Sequence, residues 1–165
     1  MTFLSSLAHG AAHPLLGLDH VLAMLAVGVW AALIGGRALW SVPSGFVAAM
    51  VAGFIMARAG LSLPALEPVI AASGLVLGLA AALAWRAPGP VAVALAAFFG
   101  LFHGAAHGGE LGEATAAGFA MGFFVVTAAL HAGGAVLAIF AARAHPLAPR
   151  IIGVASVALG LSLLI

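Results

Sequence analysis

Two short stretches carry most of the side chains in this chain that could bind a metal ion or move a proton. The first, His13-Pro-Leu-Leu-Gly-Leu-Asp19-His20, stands directly before an apolar run from Val21 to Ile34. A carboxylate costs about 2.5 to 3.5 kcal/mol at the centre of a membrane helix and less near its ends. Because the chain contains four acidic residues in all, the presence of Asp19 beside His20 indicates a functional role.

The second stretch reads His103-Gly-Ala-Ala-His107-Gly-Gly-Glu110. On a helix these three side chains are spaced i, i+4 and i+7, so they project from one face. Two histidines four residues apart can hold one divalent ion, as helical zinc sites do. On a continuous helix His13 and His20, seven residues apart, would also share a face.

Three further residues are secondary candidates for metal binding: His131, Met24 and Glu113. His131 lies within an apolar run, where a histidine either hydrogen-bonds a neighbouring helix or serves as a later stop on a substrate path. Met24 stands one turn beyond His20, although methionine is more often a packing residue than a ligand. Glu113 can also stabilise the start of the following helix through its dipole. His9 is expected in a frayed tail.

The composition indicates an integral membrane protein. The chain is 65% hydrophobic and 5% charged, whereas soluble domains contain about 25% charged residues. It has no cysteine, which excludes disulfides, iron–sulfur clusters and thiolate metal sites. Its basic residues are five arginines, too few and too scattered to form a patch for nucleic acid.

The apolar runs predict an all-α bundle of about six transmembrane helices in a single domain, residues 1–165. A helix needs about 20 apolar residues to cross the bilayer core. Glycine, proline and arginine divide the chain into runs at about 15–35, 43–58, 66–85, 91–108, 114–142 and 148–165. The fifth run is long, and Gly133-Gly134 could kink or split it.

The arginines predict the orientation of the bundle. With six spans, one side of the membrane carries Arg37, Arg86, Arg143 and Arg150, and the other carries Arg58. Because cytoplasmic loops are enriched in positive charge, both termini are predicted to be periplasmic, with both histidine stretches at the same outer level. The first ten residues lack the basic and apolar regions of a signal peptide, so either the protein inserts without one or a signal has been removed.

Repeated small-residue spacings favour close helix packing. Gly-x-x-x-Gly spacing occurs at 74/78, 100/104 and 118/122, among other positions, and such spacing lets backbones approach closely in lipid. They indicate a tight bundle, not a particular dimer face. The pentapeptide His-Gly-Ala-Ala-His occurs at 9–13 and 103–107. Its flanks diverge quickly, which argues against an internal duplication, although transporters are often built from repeats.

At these residues the chain resembles the HupE/UreJ family of hydrogenase and urease accessory proteins. The matching stretches are HPLLGLDHVLAMLAVGVWAA at 13–32 and FHGAAHGGE at 102–110. The His-x5-Asp-His pattern is also similar to the His-x4-Asp-His signature of nickel/cobalt transporters. Family members often carry a leader and a histidine-bearing tail, whereas this chain opens almost directly at the first motif.

The resemblance implies a permease for Ni²⁺, with Co²⁺ as the alternative cargo, in the bacterial inner membrane. It would supply nickel-enzyme maturation, would not be an enzyme, and would hold no prosthetic group. The implied metal ligands are His13, Asp19, His20, His103, His107 and Glu110. Imidazole and carboxylate suit nickel, cobalt, zinc and copper(II). The sequence leaves the oligomeric state open, a homo-oligomer included.

Two other functions fit the same residues. One is an intramembrane zinc-dependent hydrolase, in which three histidines hold zinc and a carboxylate activates water. The other is a proton relay in which the histidines bind no metal. Metal uptake by cells that express the protein would distinguish the three.

Overall fold

The computed structural model describes residues 1–162, apart from the side chain of Asp19. Within that part of the chain all regular structure is helical. The α-helices are α1 (Phe3–Ala12), α2 (Leu18–Ile34), α3 (Ala38–Arg58), α4 (Leu66–Ala82), α5 (Gly89–Gly109), α6 (Ala116–Ala144) and α7 (Arg150–Ser162), and a 3₁₀ turn at His13–Leu15 joins α1 to α2.

Three of the described helices, α3, α5 and α6, are long and apolar enough to cross a membrane. A fourth span results if α1 with its 3₁₀ turn and α2 are counted together, although the two parts are bent by 77°. The remaining helices, α4 and α7, are apolar but shorter. Each predicted run corresponds to one helix, in the order α2 to α7. By length and composition, the described residues supply three to four spans.

The amino terminus differs from the prediction because it is a helix and not a frayed tail. Thr2 caps α1, its hydroxyl accepting a hydrogen bond from the Ser5 amide at 3.2 Å. Gly10 lets α1 lie directly on α6, since a Cβ there would overlap the backbone carbonyl of Phe119. His9 thus lies in the body of a packed helix.

The first predicted span is interrupted near its start. Pro14 stands in the 3₁₀ turn, and α2 begins at Leu18 after the extended residue Gly17. Proline lacks an amide donor and restricts the residue before it, so a helix is easily broken at this point. The prediction that His13 and His20 share one face of one helix is therefore wrong.

Helix α6 is continuous over 29 residues, so the predicted kink or split at Gly133-Gly134 is also wrong. Gly134 serves a different purpose, because a Cβ there would overlap the backbone carbonyl of Leu25. The glycine thereby brings α2 and α6 into backbone contact, as small residues do between membrane helices.

The Gly-x-x-x-Gly pairs lie at helix contacts within the chain. On α5, a Cβ at Gly100 or Gly104 would overlap the backbone carbonyl of Phe46 or Met50 on α3. The pair on α6 faces α1 in the same way. On α4, Gly78 makes a close approach to α7, whereas a Cβ at Gly74 would be in ordinary contact with α7. The tight bundle predicted from this spacing is confirmed, and these glycines set the distance between α3 and α5.

The end of the bundle where α2 stops and α5 starts carries most of the arginines. There the Trp30 and Trp85 rings stack at 5.8 Å, and the Trp30 indole donates a hydrogen bond to the Trp85 carbonyl at 2.7 Å. Arg150 donates to the Leu83 carbonyl at 2.8 Å. The histidine stretches lie at the start of α2 and the end of α5, which is the opposite end of the bundle.

Candidate metal centre

His107, in the last turn of α5, is the centre of the polar site. Its Nδ1 lies 2.7 Å from Glu110 Oε2 and 2.9 Å from His13 Nε2, and His13 Nε2 lies 3.0 Å from the same carboxylate oxygen. Glu110 directly follows the end of α5, while His13 stands in the 3₁₀ turn. We call His13, His107 and Glu110 the outer cluster.

The three distances between these atoms match the distances between neighbouring ligands of one metal ion. Ligands at right angles around an ion with bonds of about 2.05 Å lie about 2.9 Å apart. The atoms of the outer cluster are separated by 2.7 to 3.0 Å. The outer cluster therefore has the dimensions of three adjacent ligands of one transition-metal ion.

A second group of nitrogens lies one helical turn further into the bundle. His20 Nε2 is 3.2 Å from His107 Nε2, and the His20 and His103 rings meet edge to face at 5.4 Å. The ligand atoms of His20, His103 and His107 all lie within 4.8 Å of one another. We call these three residues the inner cluster.

The two clusters form a gradient of burial. The side chain of Glu110 is 48% exposed and that of His13 22%, whereas that of His107 is 5% exposed. His103 is almost completely buried. A path from solvent into the helix bundle thus passes the outer cluster first and the inner cluster second.

Glu110 is held in its charged form. The hydrogen bond from His107 is the largest cause that lowers the pKa of Glu110, to about 2, and it outweighs the opposing effect of partial burial. The hydrogen bond from His13 acts in the same direction. The outer cluster therefore contains a carboxylate that is ionised at neutral pH and can offset the charge of a cation.

Ser73 on α4 is a candidate site residue that the sequence did not predict. Its hydroxyl donates to the Ile70 carbonyl at 2.6 Å and lies 2.9 Å from His103 Nε2. With its own proton committed, the hydroxyl accepts from Nε2–H and leaves the lone pair of His103 on Nδ1, which has no hydrogen-bond partner. Such a partner orients a metal-binding histidine. The available signal was a lone hydroxyl in an apolar run.

A small cavity adjoins the inner cluster. It has a volume of about 10 Å³ and is lined in part by His20, Ser73, His103 and Ser156. This is about the space that one water molecule requires. The cavity therefore leaves room for one small species next to the His20 and His103 rings.

His9 was also missed as a neighbour of the site. Its ring lies 6.2 Å from that of His13, edge to face, and its Nδ1 is buried without a hydrogen-bond partner. The signal was the repeated His-Gly-Ala-Ala-His pentapeptide, which places His9 one turn before His13 as His103 precedes His107.

The structure brings together five of the predicted ligands, namely His13, His20, His103, His107 and Glu110. The backbone of Asp19 is in the first turn of α2, and its side chain lies outside the described residues. Among the secondary candidates, Met24 packs in the hydrophobic core, Glu113 is exposed, and His131 is buried deeper on α6. Within the described residues, none of these three joins either cluster.

Comparison with known proteins identifies the family of this chain. The family model described as HupE / UreJ protein matches residues 2–163. The chain belongs to the HupE/UreJ family. It is 41% identical over 158 residues to Protein HupE of Rhizobium leguminosarum bv. viciae, covering 94% of this chain and 83% of that protein. No solved structure matches.

Membership confirms the resemblance seen in the two histidine stretches. HupE/UreJ proteins are hydrogenase or urease accessory proteins. The family is one of accessory or permease proteins, and its members are not known enzymes. Together with its apolar helices, membership makes this chain a membrane protein with a nickel-related accessory role.

Proposed function

We propose that this protein carries a divalent transition-metal ion, Ni²⁺ with Co²⁺ as the alternative, across the bacterial inner membrane to supply nickel enzymes such as hydrogenase or urease. The observation that carries the proposal is the pair of clusters that share His107 and run from an exposed carboxylate to a buried imidazole. A structural role alone gives no reason to stack four imidazoles and a carboxylate along one line at the end of a membrane bundle.

The shared histidine supports a stepwise transfer. His107 Nδ1 faces the outer cluster and its Nε2 faces His20 in the inner cluster. A neutral imidazole has one lone pair, so His107 serves one cluster at a time. An ion captured by His13, His107 and Glu110 would leave Nδ1 of His107 before it binds Nε2, and the ring proton of His107 would pass from Nε2 through solvent or a neighbouring group to Nδ1. Such a transfer avoids tight capture by all donors at once.

The charges of the site suit a dication. Glu110 contributes one negative charge, and the sequence pattern adds Asp19 at the start of α2 as a second. Imidazole and carboxylate without thiolate favour nickel, cobalt or zinc over copper(I). Since the Irving–Williams order gives copper(II) the highest affinity at an unstrained site, selectivity for nickel would come from geometry and metal supply.

For the membrane arrangement we propose one domain in which α2 to α7 form six spans and both termini are periplasmic. The end of the bundle that carries four of the five arginines would then face the cytoplasm. The clusters at the opposite end would take metal from the periplasm. An inside-negative potential of 100 mV contributes about 2.3 kcal/mol per elementary charge, and about twice that for a dication.

Nickel uptake into sealed proteoliposomes tests the proposal. We expect liposomes with the purified protein to accumulate radioactive Ni²⁺ under an inside-negative potential, and those with His107→Ala to accumulate no more than empty liposomes. The matched control is His145→Ala, because His145 is exposed at the end of α6. Uptake that does not exceed the empty-liposome background would contradict transport. Metal binding without uptake, together with cleavage of a lipid or peptide, would support the hydrolase.

The proposed orientation can be tested separately because the chain has no cysteine. Glu113→Cys and Gly89→Cys place single thiols at exposed positions near the two ends of α5. In intact cells a membrane-impermeant maleimide should label the first variant and spare the second. The reverse pattern would overturn the periplasmic placement of the clusters.

A further inference from the structure

A second set of ligating atoms lies deeper in the bundle, on α6. His131 and Thr127 are completely buried. Both ring nitrogens of His131 and the Thr127 hydroxyl oxygen lack a hydrogen-bond partner among the described residues. Because the two residues are four apart on a helix, they lie on the same face, one turn from each other.

These atoms are expensive to leave unsatisfied. A neutral imidazole has one donor and one acceptor nitrogen, and an unmet buried polar group costs about 1–3 kcal/mol. Native structures contain few such groups, and each one needs an explanation. A ligand that binds there is an explanation consistent with three unmet atoms on two neighbouring residues.

The deep residues are connected to the inner cluster through one ring. Phe46 on α3 lies with its centroid 5.5 Å from that of His103 and 5.0 Å from that of His131. His103 Nδ1, the nitrogen that carries its lone pair, is also buried without a partner. The step from the inner cluster to His131 therefore passes a single phenylalanine ring.

We propose that His131 and Thr127 form a second, weaker binding site for the divalent ion, which the ion reaches from His103 past Phe46. The proposal rests on the proposed function and extends it from capture at the surface to passage through the bundle. Imidazole nitrogen and hydroxyl oxygen replace part of the hydration shell of an ion at this depth. Conduction requires several sites that bind weakly enough to release, and no carboxylate is among the residues that form this one.

The test compares His131→Gln with wild-type protein in two measurements. Glutamine keeps polar hydrogen-bonding atoms of similar reach but is a poor nickel ligand, so a merely structural histidine would be replaced without loss. We expect equilibrium dialysis at saturating Ni²⁺ to show one fewer bound ion per chain than in wild type. The affinity of the tight site should stay within about twofold. Uptake should fall at least about tenfold, the smallest loss that is typical when a group that only orients a metal ligand is removed.

Thr127 offers a matched pair of variants. Thr127→Val removes the hydroxyl at nearly constant volume and should slow uptake several-fold, whereas Thr127→Ser keeps the hydroxyl and should behave as wild type. His145→Gln serves as a control for the loss of a histidine outside the path. Size-exclusion elution and the Tm of each variant establish that the bundle is intact.

The outcomes separate this inference from the proposed function. If His131→Gln binds as many ions as wild type, or if wild type binds no ion beyond the tight site, the deep site is overturned whatever the uptake rates are. If wild type binds the second ion and His131→Gln loses it, the site is supported by the dialysis alone. Absence of uptake by wild type would refute transport, and the dialysis would still decide on the deep site.

Discussion

His13 Nε2 and His107 Nδ1 lie 2.9 Å apart, although 94 residues separate them in the chain. The contact joins the 3₁₀ turn before α2 to the last turn of α5, and Glu110 Oε2 touches both rings. Because His107 also faces His20 on its other nitrogen, this one imidazole connects the two histidine stretches. The contact explains why two motifs far apart in sequence belong to one site.

His107→Ala should have the largest effect of any single substitution at the site, because it removes a ligand from both clusters. Loss of a group that only orients a ligand typically costs 10- to 100-fold in metal affinity. We therefore expect at least about a 100-fold weaker Ni²⁺ affinity by isothermal titration calorimetry. An unchanged affinity would show that the clusters are not the binding site.

Glu110→Gln isolates the electrostatic contribution, since it keeps the shape of the side chain and removes the charge. We expect Ni²⁺ affinity to fall about tenfold, equivalent to about 1.4 kcal/mol. The control is Glu113→Gln, which removes an exposed carboxylate three residues away and outside both clusters. Equal losses in the two variants would mean that only the general charge of this loop matters.

The stability of the metal-free protein should depend on Glu110 in a defined pH range. The hydrogen bond from His107 lowers the pKa of Glu110 from 4.5 to about 2 in the folded protein. A carboxylate whose pKa is lowered in the folded protein contributes its full stabilisation above its unfolded-state pKa. It loses that contribution as the pH falls through its folded-state pKa. The Tm difference between wild type and Glu110→Gln should thus shrink between about pH 4.5 and 2, as the carboxylate gains its proton. A difference that is independent of pH would contradict this contact.

Nickel binding should weaken in a different and higher pH range. Protons compete with metal for imidazole nitrogen, and an unperturbed imidazole, with a pKa of about 6.5, gains its proton mainly between about pH 7.5 and 5.5. Because the pKa of Glu110 is about 2, its carboxylate stays ionised throughout that range. Calorimetry from about pH 8 to 5 should show a progressive loss of Ni²⁺ affinity in wild type. Glu110→Gln should show the same pH dependence. A flat profile would argue that the histidines are not ligands.

Gly104→Ala should disturb the site indirectly, because it increases the distance between α3 and α5. Its Cβ would overlap the backbone carbonyl of Met50, whereas a Cβ at Gly109 meets nothing within 4 Å. Overpacking of this kind costs about 1–3 kcal/mol, so we expect a lower Tm and weaker Ni²⁺ binding for Gly104→Ala. Gly109→Ala, in the same helix, should match wild type in both measurements. Equal Tm values for the two variants would refute the close approach of α5 to α3 at Gly104.

The sequence by itself determined the class of the protein and the identity of its polar residues. Hydropathy depends on composition within about 20 neighbouring residues, which is why each predicted run contains one helix. The spacing of His103 and His107 likewise predicted neighbours on α5, because α-helical geometry relates residues three and four apart. Glu110, predicted as the third side chain on that helix, instead directly follows its end. The family followed from the same two stretches, since they are specific.

The tertiary structure decided how the first stretch meets the second. Seven-residue spacing would align His13 and His20 on a straight helix, but the chain bends by 77° between α1 and α2. Both rings still reach His107, each on a different nitrogen, because the bend folds the 3₁₀ turn back over the end of α5. The contact of Ser73 with His103 depends on how α4 packs against α5, and the contact of His131 with Phe46 depends on how α6 packs against α3. Residue spacing along the chain carries little information on such contacts, since they depend on the crossing of helices distant in sequence.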